Sequence, residues 1–154
     1  MKNVLEVHIK APAADLMPLL LDHSRLPLWM GGLIESEQTS PGPPGPGTTF
    51  RQVFRAGPLR VVLTGRLTTF EPPTSFAFEV DIAPLLPMAP GGRVLGTWRL
   101  EESGGETTIH YSEDTQVSHP LFAVLAPLMA GSVRDRHAAA FATLKRLVET
   151  GSSL

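Results

Sequence analysis

Three polar side chains fall among apolar residues, at positions where they could act on a small molecule. Gln52 lies midway between two phenylalanines, Tyr111 comes two residues after an isoleucine, and His137 lies one helical turn before Phe141. A buried polar group needs a hydrogen-bond partner. These three side chains are therefore candidates for orienting a ligand carbonyl or hydroxyl. If the protein is an enzyme, Tyr111 and His137 are the candidate catalytic groups, as general acid and base.

Each candidate also has a purely structural interpretation. A lone histidine on a helix is more often satisfied by protein or water, or lies at the mouth of a cavity. A one-residue bulge would turn Tyr111 outward and His110 inward. Glu113 and Asp114 follow closely, but neighbours on a strand point to opposite faces. We therefore do not expect these two carboxylates to form a catalytic pair.

Several chemistries lack their sequence signature. The chain has no cysteine, which excludes a disulfide framework, a thiol nucleophile and a cysteine-ligated metal. No nucleophile elbow, metalloprotease helix, phosphate loop or dinucleotide fingerprint is found. His8 and His110 are expected on the outer face of neighbouring strands, but no third residue has the spacing of a metal ligand. We expect no metal and no cofactor.

Charge gives little reason to expect nucleic acid as a partner. Thirteen Lys and Arg residues stand against 15 Asp and Glu residues, for a net charge of −2. Arg51, Arg55, Arg60 and Arg66 alternate along two predicted strands as a basic stripe that could touch RNA or a phosphate. An ordinary polar sheet face is the favoured interpretation, and no nucleic-acid binding is predicted. An interaction protein using this stripe is a third hypothesis for function.

The elements that must position these residues are visible in the hydrophobic pattern. Val4 to Lys10 alternates strictly between apolar and polar residues, which predicts a half-buried strand. A helix opening at Pro12 and a short one at 26–29 follow. A long helix is predicted from a Ser118 cap to about Thr150, with a kink at Pro127. Six further strands are predicted at 33–39, 48–55, 59–70, 76–82, 93–101 and 106–117.

Short connections make these strands an antiparallel meander. Only one long helix is available to cover their apolar faces, so the sheet must curl round it. The predicted fold class is α+β, with a seven-stranded antiparallel sheet, two short helices after the first strand and a long C-terminal helix. Residues 1–150 are expected to form a single domain, and 151–154 a tail.

The positions predicted to face inward are mostly apolar or aromatic. A concave apolar surface with few polar groups is typical of a site for a hydrophobic small molecule. The alternative is that these residues pack on the helix and leave no void. The apolar, proline-rich segment 83–92 is either a lid or a homodimer contact. The candidate ligand-binding residues are Trp29, Phe50, Gln52, Phe54, Leu63, Phe78, Trp98, Tyr111, His137 and Phe141.

Five stretches together resemble a known family. They are Ile9–Asp15 leading into a helix, Leu26–Trp29, Gly45–Phe50, Gly65–Pro73 and Gly104–Ile109. In their order and spacing the chain resembles the START-like (SRPBCC) superfamily, in particular its bacterial polyketide cyclase/dehydrase-like branch. The resemblance implies a helix-grip fold around an elongated cavity, and a core position for Trp29. Members bind lipids, quinones, hormones or polyketides, and some are cyclases or aromatases.

We therefore expect a protein that binds a hydrophobic or amphipathic small molecule, such as a lipid, a quinone or a polyketide-like compound, between the sheet and the final helix. The alternative is a cofactor-free polyketide cyclase, aromatase or dehydratase that uses Tyr111 and His137. The sequence leaves open whether the protein is an enzyme. With no signal peptide and no run of about 18 apolar residues, a cytoplasmic location without integral membrane association is expected.

Overall fold

Seven strands and two α-helices account for most of the chain. The computed structural model describes residues 2–56, 58–84, 91–116 and 120–151, and the side chains among these except at 56 and 120–132. The strands are β1 (Lys2–Ile9), β2 (Leu33–Gln38), β3 (Thr49–Ala56), β4 (Leu59–Glu71), β5 (Ser75–Ile82), β6 (Gly92–Ser103) and β7 (Glu106–Gln116). The helices are α1 (Ala13–Leu21), a 3-10 turn (Leu26–Leu28) and α2 (Pro120–Glu149).

All seven strands form one antiparallel sheet. The order is β1-β7-β6-β5-β4-β3-β2, so the first strand pairs with the last and the rest follow as a meander. Helix α2 packs on the concave face, where Phe141 and Leu144 are buried in the same cluster as Ile9 and Ile109. The predicted α+β fold, with its seven-stranded sheet and long C-terminal helix, is confirmed.

Strand alternation places the apolar side chains as the pattern predicts. Val94, Gly96, Trp98 and Leu100 of β6 face the core, and their neighbours face outward. One described residue that departs from its expected environment is Val53, which alternation places on the outer, polar face. It is 1% exposed although it lies outside the main core cluster. The long side chains around it have aliphatic stems that can cover a valine on this face.

The outer face of the sheet is a network of ion pairs. Arg51 and Arg60 both bind Glu35 at 3.1 Å, and Arg66 binds Glu79 at 2.6 Å. Three of the four arginines in the predicted stripe therefore have an acidic partner. This pairing favours the interpretation of the stripe as an ordinary polar sheet face.

Helix α1 begins one residue later than predicted. Pro12 is the residue before the first helical turn, not its first member, and the free N–H of Ala13 donates to the Glu102 carboxylate at 2.6 Å. A carboxylate at this end is favoured by the helix dipole.

Helix α2 runs without interruption through Pro127. The predicted Ser118 cap and most of the 83–92 segment, residues 85–90, lie outside the described residues. Among the described helices, none has both the length and the hydropathy to span a membrane.

Candidate functional site

A cavity lies between the concave face of the sheet and the helices. Its volume is about 100 Å³, room for several water-sized spheres. Eight of the ten predicted site residues line it: Trp29, Phe50, Gln52, Phe78, Trp98, Tyr111, His137 and Phe141. Phe54 and Leu63 are not among the described lining residues; both are half-buried against the core cluster. The cavity wall also includes His23 from the turn after α1 and Met30.

Aromatic rings dominate the wall. Of the ten Phe, Trp and Tyr residues in the chain, seven line the cavity. Trp98 is central: it stacks on Phe76 with centroids 5.8 Å apart, and its centroid lies 4.5 Å from that of Tyr111. Trp29 meets it edge-on at 6.3 Å and donates its ring N–H to the carbonyl of Leu19. Trp29 is thus both a buried core residue and part of the wall.

Two glycines make room for two of these rings. Gly65 lies directly across from Phe50, and Gly96 directly across from Phe78, in neighbouring strands. A methyl group added to Gly65 would lie 2.5 Å from Cζ of Phe50, and one added to Gly96 would lie 2.5 Å from Cε1 of Phe78. Neither glycine has a positive φ, so ring packing and not backbone conformation requires a glycine here.

A buried carboxylate organises one side of the cavity. Glu113 of β7 lies on the same strand face as Tyr111, and its side chain is 6% exposed. Its Oε2 accepts a 2.6 Å hydrogen bond from the Tyr111 hydroxyl, and its Oε1 lies 3.0 Å from Nε2 of His137. Asn3 of β1 donates to the same Oε1 at 3.3 Å. We call these four residues the Glu113 cluster.

The partners of Glu113 keep it ionised in spite of its burial. Burial would raise the pKa of this carboxyl, but the hydrogen bond and positive charge of His137, with the Tyr111 and Asn3 donors, lower it below its ordinary value. Burial, together with the Glu113 charge and hydrogen bond, raises the pKa of Tyr111 well above its ordinary value. The tyrosine therefore keeps its proton, which points at Glu113.

A second polar group lies on the opposite side of the cavity. Ser36 of β2 links His23 to Gln52. Nδ1 of His23 lies 2.7 Å from the serine Oγ, and the side-chain amide of Gln52 donates to the same oxygen at 3.3 Å. Burial lowers the pKa of His23, although Asp22 and Glu37 act in the other direction. We call these three residues the His23 cluster. Because the pKa of His23 is lowered, its imidazole is neutral near pH 7.

Sequence reasoning missed one important residue in each cluster. Glu113 follows Tyr111 at the two-residue spacing that predicts a shared strand face. Alternation alone could have found it. His23 lies in a polar turn with no periodicity, so no local signal indicated that it faces the cavity. Among the described residues, no group of three or more His, Cys, Asp or Glu side chains could hold a metal ion.

Comparison with known proteins agrees with this architecture. The profile of the family described as polyketide cyclase / dehydrase and lipid transport matches residues 2–149. No curated protein matches the chain. Among solved structures, TTHA0849 from Thermus thermophilus has a TM-score of 0.78 at 20% identity, with 99% of this chain and 100% of that chain covered.

Two further solved structures show how widely this fold is used. Ara h 8.0201 has a TM-score of 0.70 at 15% identity, covering 97% of this chain and 98% of that one. The di-domain ARO/CYC protein BexL, from the BE-7585A biosynthetic pathway, has a TM-score of 0.71 at 15% identity. The match to BexL covers 96% of this chain and 47% of that chain. At these identities the likeness shows the fold. The match of the family profile to nearly the whole chain shows more: this protein belongs to the polyketide cyclase/dehydrase and lipid transport family, of the SRPBCC type.

Proposed function

We propose that this protein binds a hydrophobic or amphipathic small molecule, such as a lipid, a quinone or a polyketide-like compound, in the cavity between the sheet and α2. The observation that carries the proposal is the wall itself, to which seven of ten aromatic residues contribute beside a few polar groups. Small-molecule sites typically combine such an apolar lining with a few fixed polar groups. The family description, which includes lipid transport, supports the same class of ligand.

Native mass spectrometry of freshly purified protein, followed by denaturing extraction, tests this proposal. We expect a near-stoichiometric apolar molecule to co-purify. Ala140→Phe should abolish it, because Ala140 is buried on α2 and lines the cavity. Ala138→Phe makes the same change at an exposed position of the same helix and should leave the bound molecule in place. Equal retention by both variants would place binding elsewhere and contradict the proposal.

A second candidate function is a cofactor-free cyclase, aromatase or dehydratase, and the Glu113–His137 contact favours it. A carboxylate that binds Nε2 of a histidine holds the imidazole in one orientation, and an imidazole held in this way can transfer protons as a general acid or base. Nδ1 of His137 has no hydrogen-bond partner among the described residues. The raised pKa of Tyr111 makes it a weaker acid, so its role in such a reaction would be chiefly to position. His137 would be the main proton-transfer group.

Substitution of His137 separates binding from catalysis. The co-purifying molecule is identified, supplied to the protein in excess and followed by mass spectrometry for cyclisation or loss of water. An enzyme should lose turnover in His137→Gln while still binding the compound. A binding protein should leave the compound unchanged in both forms. Conversion that survives in His137→Gln would remove His137 from the mechanism.

We also propose a cytoplasmic location, which the lack of cysteine supports because reducing compartments do not favour disulfides. Fractionation of the source cells tests it. Recovery of the protein outside the cytoplasmic fraction would contradict this location without affecting the ligand proposal.

A further inference from the structure

The cavity between the sheet and α2 is small for the ligand proposed above. Its volume is about 100 Å³, whereas sites for drug-sized molecules usually span about 300–1,000 Å³. The rings of its inner wall already contact one another, since the centroid of Trp98 lies 4.5 Å from that of Tyr111 and 5.5 Å from that of Phe141. A lipid or a quinone therefore needs space that another part of the wall must provide.

An open groove lies behind one part of that wall. It runs between α1 and the turns that follow β2 and β4, and its volume is about 520 Å³. Apart from Asp22 its described lining is apolar, and it includes Met17, Pro18, Pro72 and Pro73. Leu21 and Pro44 line both the groove and the cavity. These two side chains therefore belong to the partition between the two spaces.

Pro44 belongs to a segment that can move as a unit. We call residues 40–47 the proline flap, because four of its eight residues are prolines, each with its φ fixed by the ring. Gly42 and Gly47 have φ values of +89° and +87°, in a region that glycine enters without steric cost. Three of the four residues between these glycines are prolines. Rotation at the two glycines would carry Pro44 away from α1.

One side chain of the cavity wall holds the proline flap in place. The side-chain amide of Gln38 donates to the carbonyls of Ser40 and Gly42, both at 2.7 Å. Because a carbonyl oxygen only accepts, both hydrogens of this amide are fixed by these bonds. At the other end, the N–H of Gly47 donates to the carbonyl of Leu67 at 2.8 Å. The prolines between have no N–H to donate, so the flap is tied down at its ends.

We propose that the proline flap moves away from α1 when a long ligand binds, and that the cavity and the groove then form one continuous site. The inner cavity takes the head of the ligand, and the groove takes its apolar tail. The proposal rests on the proposed function and adds to it a second subsite on the outer surface. Gln38 stabilises the closed, ligand-free position of the flap.

Three phenols test the groove by isothermal titration calorimetry: 4-methylphenol, 4-butylphenol and 4-octylphenol. A methylene group that is fully buried tightens binding about fourfold, and one in a groove open on one side should give about twofold. We therefore expect the affinity to rise from methyl through butyl to octyl. An affinity that stops rising or falls beyond 4-butylphenol would show that the cavity stays closed, and would overturn the proposal.

A variant of the groove tests where the tail lies. Ala14 is exposed on α1 and lines the groove but not the cavity. Ala14→Phe should remove most of the gain between 4-butylphenol and 4-octylphenol, because the new ring occupies the space of the tail. Ala138→Phe, the same change at an exposed position of α2, should leave the gain intact. If thermal melting shows that Ala14→Phe does not fold, Pro18→Phe replaces it.

A variant of Gln38 tests the flap itself. Gln38→Glu cannot donate to the two carbonyls, so the cost of opening falls and the competent state becomes more populated. The affinity for 4-octylphenol, relative to that for 4-methylphenol, should rise at least about fivefold, the lower range for two hydrogen bonds. Gln116→Glu, at an exposed position of β7, should not change this ratio. Weaker binding of 4-octylphenol in Gln38→Glu would overturn the role of the flap.

The outcomes separate this proposal from the function on which it rests. A tail gain that is equal in Ala14→Phe and Ala138→Phe would overturn the outer subsite, while binding of 4-methylphenol would leave the cavity as a binding site. Failure of all three phenols to bind the unmodified protein would overturn the proposed function as well.

Discussion

Two carboxylates on opposite faces of the same sheet show how differently this protein uses charge. Glu35 on the outer face binds two arginines at 3.1 Å, with half of its side chain exposed. Glu113 on the inner face has three partners at 2.6–3.3 Å and is 6% exposed. Their bond lengths are similar. The difference in solvent access determines how much each carboxylate contributes to the free energy of unfolding. Water can replace a lost partner on the outer face and cannot do so on the inner face.

Removal of the two carboxylates is the strongest test of this contrast. Glu113→Leu should lower the free energy of unfolding by roughly 2–4 kcal/mol, because three donors lose their acceptor in a buried site. Glu35→Leu, the same chemical change on the outer face, should cost less than about 1 kcal/mol. Urea denaturation measures both. Similar losses of unfolding free energy for the two variants would contradict the idea that solvent access determines the contribution of each carboxylate.

Adding one methyl group tests the inner face without changing any charge. Gly96→Ala should cost about 1–3 kcal/mol, since the new methyl overlaps the Phe78 ring and the core must shift. Gly45→Ala is the control, because a methyl there meets nothing within 4 Å; its effect should stay within about 0.5 kcal/mol. If Gly96→Ala leaves the free energy of unfolding unchanged, the Phe78 ring can move aside without cost, which would contradict this prediction.

The dependence of stability on pH should reveal both inner clusters. The pKa of His23 is lowered in the folded protein, so the unfolded chain binds a proton first as the pH falls. Stability should therefore drop from about pH 6.5, the ordinary histidine pKa, down to the folded pKa, and level off below it. His23→Phe should remove this step from a series of urea titrations between pH 8 and 5, while His8→Phe should not.

Glu113 should add a second step at lower pH. Its pKa is lowered from the ordinary value of 4.5, so its stabilisation is present above that value and is lost as the pH falls through the folded pKa. Glu113→Leu should lack this step. Retention of the step in that variant would assign it to other carboxylates.

The smallest effect should come from the best ion pair on the outer face. Arg66 places two guanidinium nitrogens within 2.9 Å of one Glu79 oxygen. Even so, a double-mutant cycle with Arg66→Gln and Glu79→Gln should give a coupling of about 0.2–1 kcal/mol, decreasing in 1 M salt. A coupling of several kcal/mol would show that geometry, and not burial, decides the strength of such pairs here.

The sequence predicted the fold well because alternation is a local signal. The apolar faces of β5, β6 and β7 follow from residues two apart, and the short turns that join β4 to β5 and β6 to β7 favour antiparallel pairing of these strands. The same signal says which face a residue occupies but not how far the cavity extends along the strand. Phe54 and Leu63 have the correct face, and neither is among the described residues that line the cavity.

A local sequence pattern does not reveal contacts between residues that lie far apart in the sequence. Glu113 is acceptable in the core because Asn3, 110 residues earlier, and His137, 24 residues later, bring their donors to it. Without knowledge of those contacts, a carboxylate on an inward position looks unfavourable. His23 depends in the same way on Ser36 of a neighbouring strand.

The glycines beneath Phe50 and Phe78 have a consequence for how this cavity can diverge among relatives. Because each ring lies directly across from a glycine of the neighbouring strand, a substitution at Gly65 or Gly96 would displace that ring without replacing any side chain that lines the cavity. Relatives with identical lining residues would then have cavities of different width. A comparison of ligand ranges within the family should therefore consider the residue beneath each aromatic ring as well as the ring itself.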